Sequence, residues 1–273
     1  MRPSALISIL SWEQPRYLAN LLDNLDGVSP TFEGRVDYHV HVLDQGSGPE
    51  TVDVVKAFVA RGGNRSASLL TRNVGFAHGH NLVFDHHYRR RRFDYFVVLN
   101  QDVLFGRATW LDRLVDGMAD EGVGIGGPSA WRLNPGGGGM TACLRGVARP
   151  DDVYSIQASV AILRTGAIER FGLFDTAFTP AYFEDTDLCR RYAAAGLRMA
   201  WIDIEHVHAY FGTHRKLLRE RHAELAERFG DFRRRNERLF CERWLPAPPT
   251  AVTPDDVPCL WPGVYRPAVP LNP

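Results

Sequence analysis

The chain has 273 residues, and its 32 lysine and arginine residues balance 32 aspartate and glutamate residues. Hydrophobic residues make up 45% of it and charged residues 23%, as in a globular protein that buries a core. This composition excludes a disordered, collagen-like or disulfide-framed chain. A zero net charge argues against nucleic acid as a partner, because such a protein needs a basic surplus. The length predicts one large domain or two small ones.

The N-terminal segment and the cysteines favour an intracellular protein. The apolar run at residues 5–10 is too short for a signal peptide, and no stretch reaches the ~18 apolar residues of a membrane span. The four cysteines form no C-x-x-C pair, so neither a zinc knuckle nor a redox motif is indicated: Cys143, Cys189, Cys241 and Cys259. We therefore expect a cytoplasmic, reduced protein without a membrane span.

Strand-like and helix-like segments alternate over the first 100 residues. Short apolar runs rich in β-branched residues predict buried strands, and apolar residues three and four apart predict helices. The predicted strands are residues 5–11, 38–44, 68–71 and 95–100, and the predicted helices are residues 15–25, 51–61 and 79–90. Alternation with short turns is typical of βαβ units, so we expect an α/β fold with a mostly parallel sheet and helices on both faces.

The second half of the chain is less regular. We expect strands at residues 156–163 and 198–202, a helix at residues 187–195, and an amphipathic helix from residue 217 onward. The four glycines of residues 136–139 indicate a flexible loop. Residues 246–273 hold nine of the 17 prolines, which predicts an extended tail.

Polar residues follow the predicted strands at the edge where ligands bind in such sheets. Asp44, at a strand end before Gly46, suits hydrogen bonds to a base or ribose, although the same segment is common in plain turns. Residues 72–81 hold glycines that open a helix, which suits a diphosphate or simply a tight turn. Asp102 suits a divalent ion between two phosphates, or it caps a turn.

Three carboxylates cluster at the predicted start of a helix, at Glu184, Asp185 and Asp187. Helix capping and the helix dipole account for Asp187. Neighbouring carboxylates raise each other's pKa, which favours a general base at Glu184 or Asp185. Further on, His206 and His208 would project from one face of a strand, where they either bind a metal or serve the structure.

The order and spacing of these segments resemble those of an inverting family-2 glycosyltransferase with the GT-A fold, of the rhamnosyltransferase-like branch. The resemblance covers about residues 5–213 and rests on residues 7–12, 42–47, 73–81, 99–102, 172–175, 184–188 and 208. It implies a nucleotide-binding half at about residues 1–104 and an acceptor-binding half at about residues 105–213. A helical segment at residues 214–245 and a proline-rich tail at residues 246–273 would follow.

The resemblance also implies a role for each matching residue. Asp185 would be the base that deprotonates the acceptor hydroxyl, and Glu184 would support it or contact the acceptor. Asp102 would hold Mg²⁺ or Mn²⁺ on the diphosphate, and His208, favoured over His206, would complete that site. The nucleotide-sugar would be bound by Ser11, Asp44, Arg72, Asn73, Gly75, Gly79, Asn81 and Asn100.

One position departs from the family pattern. The usual D-x-D triplet is Asn100-Gln101-Asp102 here, so an amide replaces the first carboxylate. We therefore expect metal binding that is weak or dispensable.

The implied reaction is the transfer of a sugar from a UDP- or dTDP-sugar to a carbohydrate, lipid-linked or natural-product acceptor. Two alternatives are open: a nucleotidyltransferase with a similar sheet, and a non-catalytic nucleotide-sugar-binding protein. The last helix is rich in basic residues, with ten basic against six acidic residues between residues 215 and 243. Such a surface suits peripheral contact with the inner membrane face, a homodimer, or simply a charged outer face of the protein.

Overall fold

The computed structural model describes residues 2–28, 35–133, 140–142, 153–209 and 223–244. The glycine run at residues 136–139 and the proline-rich tail lie outside these residues. The strands are β1 (Ser4–Ser11), β2 (Asp37–Gln45), β3 (Arg65–Leu70), β4 (Tyr95–Asn100), β5 (Val103–Phe105), β6 (Val123–Gly127), β7 (Ala130–Leu133), β8 (Met140–Ala142), β9 (Val153–Ile156), β10 (Val160–Arg164), β11 (Arg198–Trp201) and β12 (His206–His208). The helices are α1 (Pro15–Val28), α2 (Pro49–Ala60), α3 (Phe76–Tyr88), α4 (Trp110–Asp116), α5 (Thr165–Phe171), α6 (Glu184–Ala194) and α7 (Ala223–Trp244).

A seven-stranded sheet in the order β11-β6-β10-β4-β1-β2-β3 forms the centre of the fold. Every pairing in it is parallel except those of β10, which runs antiparallel to both β4 and β6. The predicted α/β fold with a mostly parallel sheet is confirmed.

Two apolar cores cover the two faces of the sheet. Because successive side chains of a strand point to opposite faces, Ile7 and Ile9 of β1 pack with α1, α2 and α4, whereas Leu6 and Leu10 pack with α3, α5 and α6. Helices therefore lie on both faces, and the polar strand ends are left at the edges. None of the helices in the described part of the chain is long and apolar enough to cross a membrane.

Two small antiparallel sheets complete the fold. One pairs β12 with β5, and the other places β7 between β8 and β9. In the first of these sheets, His208 pairs with Val103, and Val103 is the residue that directly follows Asp102. This pairing brings together two segments that are about 100 residues apart in the sequence.

Several predicted boundaries are wrong, each for a physical reason. The apolar run at residues 156–163 was expected to be one strand, but the chain turns between Ile156 and Val160, so that β9 pairs with β7 while β10 enters the main sheet. Helix α3 begins at Phe76 and α6 at Glu184, three residues earlier than expected in each case. Strand β6 escaped prediction because three of its five residues are glycine.

The carboxyl half of α7 packs against its own chain. Phe240 and Trp244 are buried with Phe178, and the buried Asn236 donates hydrogen bonds from Nδ2 to the carbonyl oxygens of Ala181 at 2.8 Å and Tyr182 at 3.2 Å. The helix therefore holds the segment that leads into α6. A homodimer through α7 remains a prediction. Because one face of α7 packs against its own chain, a second copy would have to contact the exposed face of this helix.

Candidate active site

The carboxyl ends of β1 and β2 meet at Asp44. The Ser11 hydroxyl donates a hydrogen bond to Asp44 Oδ2 at 3.1 Å, and the backbone N–H of Ser47 donates to Oδ1 at 3.0 Å. The Asp44 side chain is buried. Each carboxylate oxygen has two acceptor positions, so a ligand can still bond the same group. The structure thus places Ser11 and Asp44 together at the carboxyl ends of paired strands.

Glu13, which sequence reasoning missed, joins the loops that follow β1 and β2. Its backbone N–H donates to Ser47 Oγ at 3.0 Å, and its carboxylate accepts a hydrogen bond from the backbone N–H of Gly48 at 3.0 Å. Glu13 has a φ of 50°, which is uncommon for a residue with a side chain. Its side chain therefore fixes the rim of the pocket beside Asp44.

The loop of residues 71–75 lies against the Asp44 loop. A Cβ built at Gly46 would lie 2.7 Å from the backbone nitrogen of Arg72, so glycine is required for this close approach. Gln45 Oε1 accepts a hydrogen bond from the N–H of Val74 at 3.1 Å, and Asn73 Oδ1 accepts one from the N–H of Gly75 at 2.8 Å. The side chains of Arg72 and Asn73 are exposed at this edge.

Gly75 connects this loop to the segment before α6. Its φ is 90°, and a Cβ there would lie 2.9 Å from the carbonyl oxygen of Pro180. The next residue, Phe76, donates its backbone N–H to the same oxygen at 2.6 Å. The loop after β3 and the segment that carries Glu184 and Asp185 are therefore in direct contact.

Gly79 and Asn81 lie deeper than the predicted donor pocket. A Cβ at Gly79 would lie 2.9 Å from Leu10 Cδ1, so this glycine lets α3 pack closely on β1. Asn81 donates from Nδ2 to the carbonyl oxygen of Phe174 at 2.7 Å and accepts from the N–H of Phe174 at 3.2 Å. Both residues thus support neighbouring segments.

His80, within the segment of residues 72–81, is a core residue and does not face the pocket beside Asp44. It is fully buried among Phe76, Phe96 and Phe174, with Nδ1 2.8 Å from Ser8 Oγ. Burial lowers the pKa of His80 to about 3, so the ring is neutral.

The candidate metal site lies where β4 ends. Asp102 Oδ1 is 3.2 Å from His208 Nε2, and Asn100 Nδ2 is 3.3 Å from the same nitrogen. Of the two histidines of β12, His208 is the one beside Asp102, whereas Nε2 of His206 lies 3.4 Å from Ser129 Oγ. Burial is the main cause of a lowered pKa for His206. The donor set of one carboxylate, one imidazole and an adjacent amide fits Mn²⁺ or Mg²⁺, which complete their coordination with phosphate oxygens and water.

The candidate base lies at the start of α6. Asp185 accepts hydrogen bonds from the backbone N–H of Ala158 at 3.1 Å and from the backbone N–H of Thr186 at 2.7 Å. Burial nevertheless raises the pKa of Asp185, against the lowering effect of these bonds. The turn before it is constrained, because Tyr182 and Phe183 have φ values of 81° and 71°.

Glu184 is buried beside this base. Its Oε2 has no hydrogen-bond partner among the described residues. Burial, reinforced by the charge of Asp185, raises the pKa of Glu184 well above its usual value. Glu184 therefore keeps its proton to a higher pH than an exposed glutamate does, and a protonated carboxyl group can donate a hydrogen bond.

Asp187, the third carboxylate of this cluster, has a structural role and connects α6 to α7. It is fully buried and accepts hydrogen bonds from Arg191 Nε at 2.9 Å and from Trp244 Nε1 at 3.0 Å. Arg243 contacts both Asp187 and Asp175. Sequence reasoning missed Arg243 and Trp244, because their partners lie 56 and more residues away.

The fold is similar to those of several solved structures, of which three are described. No family model matches the chain, and no curated protein matches it. A mannosyltransferase from Pyrobaculum calidifontis, in complex with GDP-Man and Mn²⁺, has a TM-score of 0.58 and 19% identity over 81% of this chain and 61% of its own. Residues 1–349 of S. aureus TarS have a TM-score of 0.56 and 14% identity over 88% of this chain and 66% of their own length. GalNAc-T7, in complex with UDP, GalNAc and Mn²⁺, has a TM-score of 0.56 and 9% identity over 75% of this chain and 43% of its own.

These similarities define the fold. The chain has the GT-A fold of these glycosyltransferases, as its motifs predicted. It spans about three fifths to two thirds of the length of the first two chains.

Proposed function

We propose that the protein is an inverting glycosyltransferase that moves a sugar from a UDP- or dTDP-sugar to an acceptor hydroxyl. The observation that carries this proposal is the contact between the loop after β3 and the segment before α6. Through it, the residues suited to a nucleotide and the carboxylate suited to a base share one side of a GT-A fold. Support also comes from the mannosyltransferase solved with GDP-Man and Mn²⁺ and from TarS solved with UDP and with UDP-GlcNAc.

The donor would bind at the carboxyl ends of β1, β2 and β4. Asp44, held by Ser11, offers its remaining acceptor positions to the base or ribose. Arg72 and Asn73, exposed on the adjoining loop, would contact the phosphates or the sugar, and Gly75 keeps that loop in place. Gly79 and Asn81 would act indirectly, by supporting this loop and helix.

Asp102 and His208 would hold Mg²⁺ or Mn²⁺, with Asn100 beside them. The bound cation would neutralise charge on the departing nucleoside diphosphate. Because only one carboxylate contributes, we propose weak binding in the absence of a nucleotide.

Asp185 would remove the proton of the acceptor hydroxyl. The acceptor oxygen then forms a bond to the anomeric carbon as the bond between that carbon and the phosphate oxygen breaks, from the opposite face. A single displacement inverts the anomeric configuration. The raised pKa of Asp185 supports this role, since a stronger base accepts the proton more readily.

Glu184 would support the base. In its protonated form it can donate a hydrogen bond to the acceptor or to Asp185, and its partnerless Oε2 supports such a use. The acceptor would be a carbohydrate, a lipid-linked sugar or a natural product.

The test begins with the donor. A thermal-shift panel of UDP-, dTDP- and GDP-sugars, with and without Mn²⁺, should show a raised melting temperature for the preferred donor, because a ligand that binds the native state stabilises it. Release of nucleoside diphosphate from that donor then measures transfer. Release of pyrophosphate from a nucleoside triphosphate and a sugar 1-phosphate, with no release of nucleoside diphosphate from any nucleotide-sugar, would contradict glycosyl transfer and indicate a nucleotidyltransferase.

Asp185→Asn tests the base. Transfer should be lost while the donor-induced thermal shift stays, because the carboxamide keeps the shape of the side chain but cannot accept the proton. Asp120→Asn, at an exposed carboxylate paired with Arg198, is the matched control and should turn over normally. Unchanged turnover of Asp185→Asn would rule out this residue as the base.

A further inference from the structure

Two histidines of β2 face helix α3. Strands buried on both faces usually carry apolar side chains throughout, but His39 and His41 share the face of Leu43, which packs in the α3 core. His41 is 2% exposed. The last turn of α3 brings His87 to the same place, with its ring centroid 4.5 Å from that of His41.

Three imidazole nitrogens lie close together there, and two of them contact one hydroxyl group. Ser66 Oγ, on β3, lies 2.6 Å from His39 Nε2 and 2.8 Å from His41 Nδ1. His41 Nδ1 lies 2.9 Å from His87 Nε2, and one nitrogen from each of the three histidines lies within 4.8 Å of the other two. Buried polar atoms that lie this close together must either form hydrogen bonds with one another or bind a common cation.

The three rings are neutral. Burial is the main cause of a lowered pKa for His39, for His41 at about 3 and for His87 at about 4. A neutral imidazole has the free lone pair that a metal requires. The nearby charges are Arg90 and Arg91, which disfavour a cation, and Asp37, 3.7 Å from Arg91, which offsets part of that effect.

We propose that His39, His41 and His87 form a binding site for one Zn²⁺ ion, with Ser66 Oγ or water as the fourth ligand. Imidazole donors favour Zn²⁺ over Mg²⁺ or Mn²⁺. A Zn–N distance of about 2.0–2.1 Å in a tetrahedron sets ligand nitrogens about 3.3 Å apart. The 2.9 Å between His41 and His87 therefore needs only a few tenths of an ångström of movement.

This site is separate from the one at Asp102 and His208. The histidine site lies at the first half of β2 and the end of α3. The site at Asp102 and His208 lies where β4 ends, at the carboxyl edge of the sheet, where Asp44 also lies near the end of β2. Bound Zn²⁺ would fasten α3 to β2 and β3 and would stabilise the folded chain, because the unfolded chain holds no preformed site.

The experiment titrates Zn²⁺ alone into tag-free, chelator-treated protein by calorimetry, with the melting temperature and the visible spectrum of a Co²⁺-loaded sample as further readouts. The combined variant Asp102→Asn, His208→Ala removes the other candidate metal site. We expect this variant to bind one Zn²⁺ per chain with a raised melting temperature, and Co²⁺ to give a tetrahedral spectrum.

His87→Gln, added to that variant, should weaken Zn²⁺ binding by about tenfold or more and abolish the thermal shift, since a ligand is lost. His86→Gln is the matched control on the same helical turn, because His86 is exposed and outside the converging set. His39→Gln replaces His87→Gln if circular dichroism shows that the latter is unfolded. Absence of Zn²⁺ binding to the Asp102→Asn, His208→Ala variant would overturn the proposal. Equal Zn²⁺ affinities after the further changes His87→Gln and His86→Gln would also overturn it.

Discussion

Arg243, in the last turn of α7, lies 3.3 Å from a carboxylate oxygen of Asp187, in the first turn of α6. The same guanidinium contacts Asp175, and Arg191 binds the other oxygen of Asp187. Asp187 is fully buried, so these charges compensate each other away from water. The last helix of the described chain is thus bound to the helix that carries the candidate base.

Arg243→Ala should lower the free energy of unfolding by about 3 kcal/mol, because it leaves buried carboxylates partly uncompensated. Urea unfolding followed by circular dichroism measures the loss. Arg234→Ala, which breaks an exposed pair with Asp231 on the same helix, is the control and should cost less than about 0.5 kcal/mol. Equal losses in the two variants would show that the buried network adds nothing.

Glu184 should make stability depend on pH. Its pKa is raised in the folded state, so the native protein holds the proton more tightly than the unfolded chain does. The free energy of unfolding should therefore fall as pH rises from the unfolded pKa, near 4.5, toward the folded pKa. Asp185, whose pKa is also raised, acts in the same direction.

Glu184→Gln removes the larger of these effects. Its free energy of unfolding, measured in urea between about pH 5 and about pH 8, should fall less steeply than that of the wild type. Glu169→Gln, at an exposed carboxylate, should follow the wild-type slope. A wild-type slope for Glu184→Gln would contradict the assigned ionisation.

Gly75→Ala should destabilise the protein by about 1–3 kcal/mol, because its φ of 90° disfavours a side chain and the new Cβ would press on Pro180. Transfer should fall as well, since the contact positions the segment before Asp185. Unfolding in urea and nucleoside diphosphate release measure the two effects. Gly166→Ala, where a Cβ would meet nothing within 4 Å, should leave both unchanged.

His208→Ala should raise the Mn²⁺ concentration needed for half-maximal transfer by about tenfold or more, because the donor set loses its imidazole. A titration of initial rates with Mn²⁺ measures the change. His206→Ala, on the same strand but turned toward Ser129, should need the wild-type concentration. If both variants respond alike, His208 is not a ligand.

The sequence was most informative where the signal is local. Strands β1 and β4 are mostly apolar because both of their faces are buried, and the polar residues at their ends stand out for that reason. Asp44 and Asp102 could therefore be singled out as candidates, and the resemblance to a glycosyltransferase family then implied roles for them and for Asp185. Strand β5 could not, since its three residues become a strand only by pairing with β12.

Other features depend on partners far apart in the chain. Arg243 and Asp187 are separated by 56 residues, and His87 and His41 by 46, with nothing in the intervening sequence to connect them. Gly79 and Asn81 match a binding motif in sequence, yet their places under Leu10 and beside Phe174 follow from how α3 packs on the sheet. Packing of this kind cannot be deduced from periodicity.

The contact between Gly75 and Pro180 has a consequence for how tightly the two proposed substrates would bind. Asn73 lies just before Gly75, and Asp185 lies shortly after Pro180, so the two residues are on segments joined by the backbone hydrogen bond from Phe76 to Pro180. A nucleotide that shifts the first segment must also shift the second. Occupancy of one pocket then alters affinity at the other, by the same factor in both directions. This contact would make the binding of the proposed donor and the binding of the proposed acceptor depend on each other without the movement of a whole domain.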